Sequence, residues 1–151
     1  MPGIDVTVRR DIRAPRDLVA DFASNPDNAP VWNSNVLSVN WHTDRPAKTG
    51  SRFDCVTQIL GRRMTYDCEI TALSPGITMT LRTRSPMQMD TTYHWADSDA
   101  GCAMTVICRA RPGGLARIAA PVLARGIRRA ATRDLNNLAN IAEAMFGPFH
   151  T

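Results

Sequence analysis

The stretch from Ser85 to Trp95 reads SPMQMDTTYHW, and after its proline the residues alternate between two sets. One set is Met87, Met89, Thr91, Tyr93 and Trp95, and the other is Gln88, Asp90, Thr92 and His94. This period of two predicts a β-strand that buries one face and leaves the other in water. The buried set packs less rigidly than leucine, isoleucine or valine would, which raises the question of what it faces.

The same alternation extends to both sides of this stretch. It predicts further strands over residues 4–12, 31–42, 52–60, 63–73, 77–83 and 102–110. Gly61 and Arg62 divide two of them, so we predict a tight two-residue hairpin turn at that point. In the resulting register Cys55 lies directly opposite Cys68, and both side chains face the interior.

Two segments have helical signals. Residues 14–26, APRDLVADFASNP, predict a short helix with Pro15 in its first turn and an end before Pro26. Beyond Pro112 apolar residues recur every three or four positions, and Pro121 either starts the helix or kinks it. The stripe consists of Leu123, Ile127, Ala131, Leu135, Leu138, Ala142 and Met145. A sheet with one apolar face and one long helix to cover it predicts an α+β fold.

Length and composition indicate one globular domain. The chain has 151 residues, 44% of them hydrophobic and 21% charged, and we assign residues 1–146 to a single domain and 147–151 to a tail. The cysteines and histidines form no metal-binding spacing, so no metal or other cofactor is expected, and the thiols should be reduced. Neither a signal peptide nor a membrane span is evident, which predicts the cytoplasm. Nucleic-acid binding is not expected, because aromatic residues do not interleave with the basic ones.

The inward residues of the later strands are rich in sulfur and contain hydroxyl groups. They are Cys55, Met64, Tyr66, Cys68, Met79, Leu81, Met87, Met89, Thr91, Tyr93, Met104, Val106 and Cys108. Either these residues fill gaps in a packed core, or they line a cavity that adapts to its ligand. The hydroxyls of Tyr66, Thr91 and Tyr93 favour the cavity, because buried hydroxyls need partners that an apolar core does not supply.

The segment APRDLVADFASNPDNAPVW, residues 14–32, resembles the opening of the START-like (SRPBCC) superfamily. The similarity is to its bacterial polyketide cyclase/dehydrase and lipid-transport branch. It consists of an Ala-Pro entry to a helix, an Asn-Pro turn and a Pro-x-Trp before the second strand. The order and spacing also match at Gly50, at the Ser74–Gly76 turn, at Gly101 and in the long final helix.

The resemblance implies a helix-grip fold, in which a curved seven-stranded antiparallel sheet wraps around the C-terminal helix. Short helices would lie between strands 1 and 2, and a deep pocket would hold an apolar ligand. Trp32 is expected to pack as an anchor at the entrance or against the short helix. The predicted ligand-binding residues are Met64, Tyr66, Cys68, Met79, Leu81, Met87, Met89, Thr91, Tyr93, Val106 and Cys108.

Two functions follow from the resemblance. The first is a carrier or sensor of a hydrophobic small molecule, such as a lipid, an isoprenoid or an aromatic polyketide. The second is a polyketide cyclase or dehydratase. Among the charged strand residues only Arg10 shares the inward phase, and its place near a strand end predicts that it snorkels to water. The best catalytic candidates are therefore Tyr66 and Tyr93, and we favour the carrier or sensor.

The long helix also carries a basic face. If the chain is an enzyme, an acidic carrier protein that holds the polyketide would dock at Arg125, Arg128 and Arg129. The same residues also fit a plain solvated helix face. A third class, a protein-interaction module, has no specific marker in the sequence.

Overall fold

The computed structural model describes residues 3–59, 61–85, 88–113 and 118–147. The strands are β1 (Ile4–Ile12), β2 (Val36–Trp41), β3 (Arg52–Ile59), β4 (Arg62–Ser74), β5 (Thr78–Ser85), β6 (Met89–Ser98) and β7 (Gly101–Ala110). The helices are α1 (Arg16–Ser24), a 3-10 turn (Pro26–Asn28), α2 (Ala29–Trp32) and α3 (Ala120–Phe146). The chain therefore has the predicted α+β content, with its short helices between the first two strands.

The seven strands form one antiparallel sheet in the order β1-β7-β6-β5-β4-β3-β2. Successive strands from β2 to β7 are neighbours, whereas β1 lies at the far edge beside β7. Shifts of register within the β2–β3 and β4–β5 pairs bend the sheet. The curved sheet and the long helix α3 confirm the predicted helix-grip fold.

Helix α3 runs alongside β1 in the same direction. Arg128 in its first half donates from Nη1 to the carbonyl oxygen of Thr7 at 3.0 Å. Near its end, Glu143 accepts from the backbone N–H of Arg13, also at 3.0 Å. The first half of α3 therefore lies nearer the start of β1 than the second half does.

The core is deepest between the second half of α3 and the sheet. Ile12, Trp95, Met104, Leu135 and Leu138 are each at most 1% exposed. Burial of a large apolar side chain contributes roughly 1.5–3 kcal/mol, so this cluster holds the helix on the sheet. Toward the start of α3, Leu123 and Ile127 are only half-buried.

The predicted register of the β3–β4 hairpin is wrong. Cys55 pairs with Tyr66 and not with Cys68, and Arg62 is the first residue of β4 rather than part of the turn. Gly61, with a φ of 77°, takes the second turn position, where a left-handed conformation favours glycine. The shift amounts to two residues along the partner strand, so every side chain keeps its predicted face.

The predicted strand over residues 31–42 begins too early. Only Val36–Trp41 form β2, because Pro30 lies in the first turn of α2, which ends at Trp32. The predicted stripe of α3 is confirmed as far as Ala142, whereas Met145 is 50% exposed. Its neighbour Phe146 packs edge-on against Phe22 of α1 instead, with ring centroids 6.5 Å apart.

Arg10 does not simply extend into water. It is half-buried, and its guanidinium donates to the side-chain oxygen of Asn136 on α3. The residue therefore joins sheet and helix at the edge of the core.

Candidate functional site

The predicted ligand residues lie on one face of the sheet, the concave face, which also carries the core. Their cross-strand pairs show this arrangement: Tyr93 lies between Met79 and Val106, and Thr91 lies between Leu81 and Cys108. On β4, Met64, Tyr66 and Cys68 pair with Thr57, Cys55 and Phe53 of the same face. Met89 pairs with Ala110. Met87 lies outside the described residues.

These residues differ in burial along the sheet. Met79, Cys68, Tyr93, Val106 and Cys108 are between 2% and 8% exposed. The half-buried ones are Met64, Tyr66, Leu81, Met89 and Thr91. All the half-buried residues lie on β4, β5 and β6, whereas Cys108 and Ala110, their neighbours on β7, are buried. The concave face is therefore less completely covered in its middle strands than beside β7 and β1.

Burial of the apolar side chains also differs along helix α3. Leu135 and Leu138 in its second half are buried, whereas Leu123 and Ile127 in its first half are half-buried. Arg128 in the first half reaches Thr7 of β1, and the cross-strand rows that precede Thr7 lead through β7 to Thr91 and Met89. The β1 and β7 members of those rows, such as Ile4 and Ala110, are buried.

Aromatic rings pack around Tyr93 on the concave face. Trp32 of α2 packs edge-on against Tyr93 at a centroid distance of 5.8 Å, and Trp95 lies 6.1 Å beyond Tyr93. The anchoring role predicted for Trp32 agrees with its exposure of 3%. Burial raises the pKa of the Tyr93 hydroxyl, and the neighbouring Cys108, Asp134 and Cys55 raise it further. At neutral pH this hydroxyl keeps its proton and acts as a hydrogen-bond donor.

The second candidate tyrosine is more accessible. Tyr66 is half-buried, and its pKa is raised by burial and by the nearby Cys55 and Cys68. It pairs directly with Cys55, so its ring stands among the sulfur-bearing side chains of the concave face. Tyr66 and Tyr93 thus lie on one face but in different settings.

The thiols of this face are free cysteines in an apolar setting. Burial raises the pKa of Cys55 to about 12, with a further contribution from Cys68, and burial raises that of Cys68 to about 11. Cys108 also has a raised pKa, and Thr91 donates weakly to its sulfur at 4.0 Å. Such thiols are poor nucleophiles at neutral pH and behave as soft packing groups.

The sequence analysis missed one buried carboxylate. Asp134 on α3 is 7% exposed, and its Oδ1 accepts from the backbone N–H of Ser34 at 3.1 Å and from the Ser34 hydroxyl at 2.8 Å. These bonds fix α3 to the segment after α2. The available signal was the position of Asp134, which lies three residues after Ala131 and four before Leu138 and therefore falls within the apolar stripe.

Two surface grooves lie elsewhere. One, of about 840 Å³, runs between α1, residues 45–47 and the β4–β5 turn, where Arg45 stacks on Trp41 and forms an ion pair with Asp27. The other, of about 580 Å³, lies on α3 among Arg125, Arg128, Arg129, Thr132, Arg133, Asn136 and Asn137. Neither is lined by the predicted ligand residues, so the cavity between sheet and helix stays a prediction.

The family model described as polyketide cyclase / dehydrase and lipid transport matches residues 3–143. The chain belongs to this family. No functionally curated protein has a sequence that matches this family member significantly. The similarity predicted from the Ala-Pro and Pro-x-Trp segments is therefore confirmed at the level of the family.

Solved structures share the fold of this family member at low sequence identity. The protein of unknown function SA2116 from Staphylococcus aureus has a TM-score of 0.79 and 11% identity over 95% of this chain and 96% of its own. The di-domain ARO/CYC protein StfQ of the steffimycin biosynthetic pathway has a TM-score of 0.79 and 13% identity. The di-domain ARO/CYC protein BexL of the BE-7585A pathway has a TM-score of 0.72 and 17% identity. These two matches include 95% and 93% of this chain, but only 51% and 50% of the di-domain chains.

The predicted docking arginines of this family member lie on the outer side of α3. Arg125, Arg128 and Arg129 are exposed, although Arg128 also bonds to β1 as described. Val122, one turn before Arg125, is 68% exposed, and Ile118 is 81% exposed. The start of α3 thus presents apolar and basic side chains together.

Within the described parts of the chain, no group of three or more histidine, cysteine, aspartate or glutamate side chains is placed to hold a metal ion. No helix among the described residues is long and apolar enough to cross a membrane.

Proposed function

We propose that this chain binds a hydrophobic small molecule between the concave face of the sheet and helix α3, as a carrier or sensor in the cytoplasm. The observation that carries the proposal is the incomplete burial of inward-facing residues on β5 and β6 and on the first half of α3. Met89, Thr91 and Leu81 on one side, and Leu123 and Ile127 on the other, are half-buried.

The chemistry of this surface fits an apolar ligand. Removal of apolar surface from water contributes about 25 cal/mol per Å², and methionine side chains adjust their shape to the molecule they cover. The charged residues of β5, such as Arg82, are paired on the opposite face, with Asp90 as the partner of Arg82 at 2.9 Å. A lipid, an isoprenoid or an aromatic polyketide would contact a surface of apolar carbon and sulfur atoms that carries few hydroxyl groups.

Two adjacent threonines provide a matched test. Thr91 faces the interior, whereas Thr92 faces outward, where its hydroxyl lies 3.2 Å from that of Thr80. The measurement is fluorescence titration with the apolar probe N-phenylnaphthylamine, supported by native mass spectrometry of freshly purified protein. Thr91→Trp should fill the site and abolish binding, whereas Thr92→Trp should change affinity less than about twofold. If the wild type binds no probe, or if both variants bind equally well, the proposal fails.

A second candidate, a polyketide cyclase or dehydratase, is favoured by one observation. Tyr93 is buried and keeps its proton, because burial and the charge of Asp134 both raise its pKa, and a protonated hydroxyl can polarise a carbonyl group. The likeness to the ARO/CYC proteins StfQ and BexL is consistent with this candidate, although it concerns the fold alone. The substrate would then arrive on an acidic carrier protein docked at Arg125, Arg128 and Arg129.

A further inference from the structure

Buried hydrogen-bond donors without partners flank Tyr93. Among the described residues, the buried side-chain polar atoms that lack a partner are Trp32 Nε1, Trp95 Nε1 and Ser98 Oγ. The two tryptophans are 3% and 1% exposed, and their ring centroids lie 5.8 and 6.1 Å from the centroid of the Tyr93 ring. Ser98 lies apart from them, at the β6–β7 turn.

Such unpaired donors are costly. A buried N–H without an acceptor destabilises a protein by about 1–3 kcal/mol, whereas a phenylalanine ring would fill much of the same space without that cost. The remaining tryptophan behaves differently, because Trp41 Nε1 donates to Asp27 Oδ1 at 2.8 Å. The two unpaired indoles are therefore a particular feature of the concave face beside Tyr93.

The groups around these indoles define the chemistry that would satisfy them. The indole N–H groups are donors only, whereas the Tyr93 hydroxyl between them already hydrogen-bonds with the side chain of Asn33. Asp134, a buried carboxylate, already accepts two hydrogen bonds from Ser34. Its charge is close enough to raise the pKa of Tyr93, so a second anion in the same place would be repelled. The site thus favours an uncharged acceptor over a carboxylate.

We infer that the Trp32–Tyr93–Trp95 cluster binds the carbonyl oxygen of a neutral ligand. The ligand is then a ketone, aldehyde or ester with its oxygen at this cluster and its hydrocarbon body toward Met89 and Leu81. This inference rests on the proposed function, because it requires a ligand that binds between the sheet and α3.

The test compares three probes of similar length: decane, methyl octyl ketone and decanoate. The indole N–H resonances of the three tryptophans are followed in a proton–nitrogen correlation NMR spectrum, and a Trp→Phe variant at each position assigns them. The ketone should shift the Trp32 or Trp95 indole resonance downfield, as hydrogen-bond formation does, and should leave Trp41 unchanged. It should also bind more tightly than decanoate.

Ketone and decane affinities of two tryptophan variants test the inference quantitatively. Trp32→Phe keeps an aromatic ring against Tyr93 but removes the N–H, so it should weaken ketone binding by roughly five- to tenfold and leave decane binding unchanged. Trp41→Phe is the matched control and should alter neither. If decane binds but the ketone shifts no buried indole and Trp32→Phe has no selective effect, the inference is wrong while the proposed function stands. If none of the probes binds, the proposed function fails as well.

Discussion

At the scale of single residues, two methionines of the concave face provide a direct comparison. Met104 is fully buried, and Met89 is half-buried. We expect Met104→Ala to lower the free energy of unfolding by about 2–5 kcal/mol, because it leaves a void in packed core. Met89→Ala should cost well below that range, because its side chain borders space that water already reaches. Urea unfolding of both variants measures the difference, and equal large losses would mean that Met89 is ordinary core.

Some residues of the candidate site could be predicted from the sequence, and others could not. The alternation of apolar and polar residues placed Tyr66, Thr91 and Tyr93 on the concave face, because side-chain direction in a strand follows the period alone. The pairing of Asp134 with Ser34 joins residues 100 positions apart, and no local pattern encodes such a contact. Tertiary packing likewise leaves the indole N–H groups of Trp32 and Trp95 without partners, which no local pattern predicts.

At the scale of elements, strand positions were easier to predict than pairings. Periodicity gave β1, β3, β4, β5 and β7 to within two residues, whereas β6 runs three residues past the predicted Trp95. The β3–β4 register depended on which position of a two-residue turn Gly61 occupies. Both positions accept glycine in common hairpin turns, so the sequence alone did not decide between them. The prediction for the segment before β2 was wrong for another reason, since Val31 and Trp32 fit either a strand or a short helix.

Helix α3 carries the prediction that separates the two candidate functions. Reversal of Arg125, Arg128 and Arg129 to glutamate should abolish transfer from a substrate tethered to an acidic carrier protein, if such a carrier docks there. It should leave the binding of a free apolar probe unchanged. Stability should change by only about 0.5 kcal/mol at Arg125 and at Arg129, since exposed sites tolerate replacement, and by more at Arg128, which loses its hydrogen bond to Thr7.

The control for the helix variant replaces exposed arginines at other places. Arg13, Arg63 and Arg111 are exposed and lie outside α3, and their reversal to glutamate produces the same change in net charge. Transfer is assayed at low salt, where steering is strongest. Undiminished transfer in the α3 variant, or an equal loss in the control, would identify the basic face as simple solvation.

At the scale of the whole molecule, the buried thiols should control stability in alkali. Burial raises the pKa of Cys55 from 9.0 to about 12 and the pKa values of Cys68 and Cys102 from 9.0 to about 11. Lys48 is the only lysine, and arginine stays charged, so few other groups titrate in this range. Each thiol ionises more readily in the unfolded chain, so its contribution to stability is complete below about pH 9 and is lost as the pH rises toward 11 or 12.

The urea midpoint under reducing conditions should therefore stay nearly level between about pH 7 and pH 8.5 and fall steadily up to about pH 10.5. The tyrosines act in the same direction at the upper end, because the pKa values of Tyr66 and Tyr93 are also raised. Cys55→Ala removes one of these groups, so its midpoint should fall less steeply with pH, whatever its stability at neutral pH. Cys55 is only half-buried, and a variant with the slope of the wild type would mean that its thiol ionises as readily in the folded protein as in the unfolded chain. In that case the concave face would be open along β3 as well as at the ends of β5 and β6, and its ligand would be correspondingly larger.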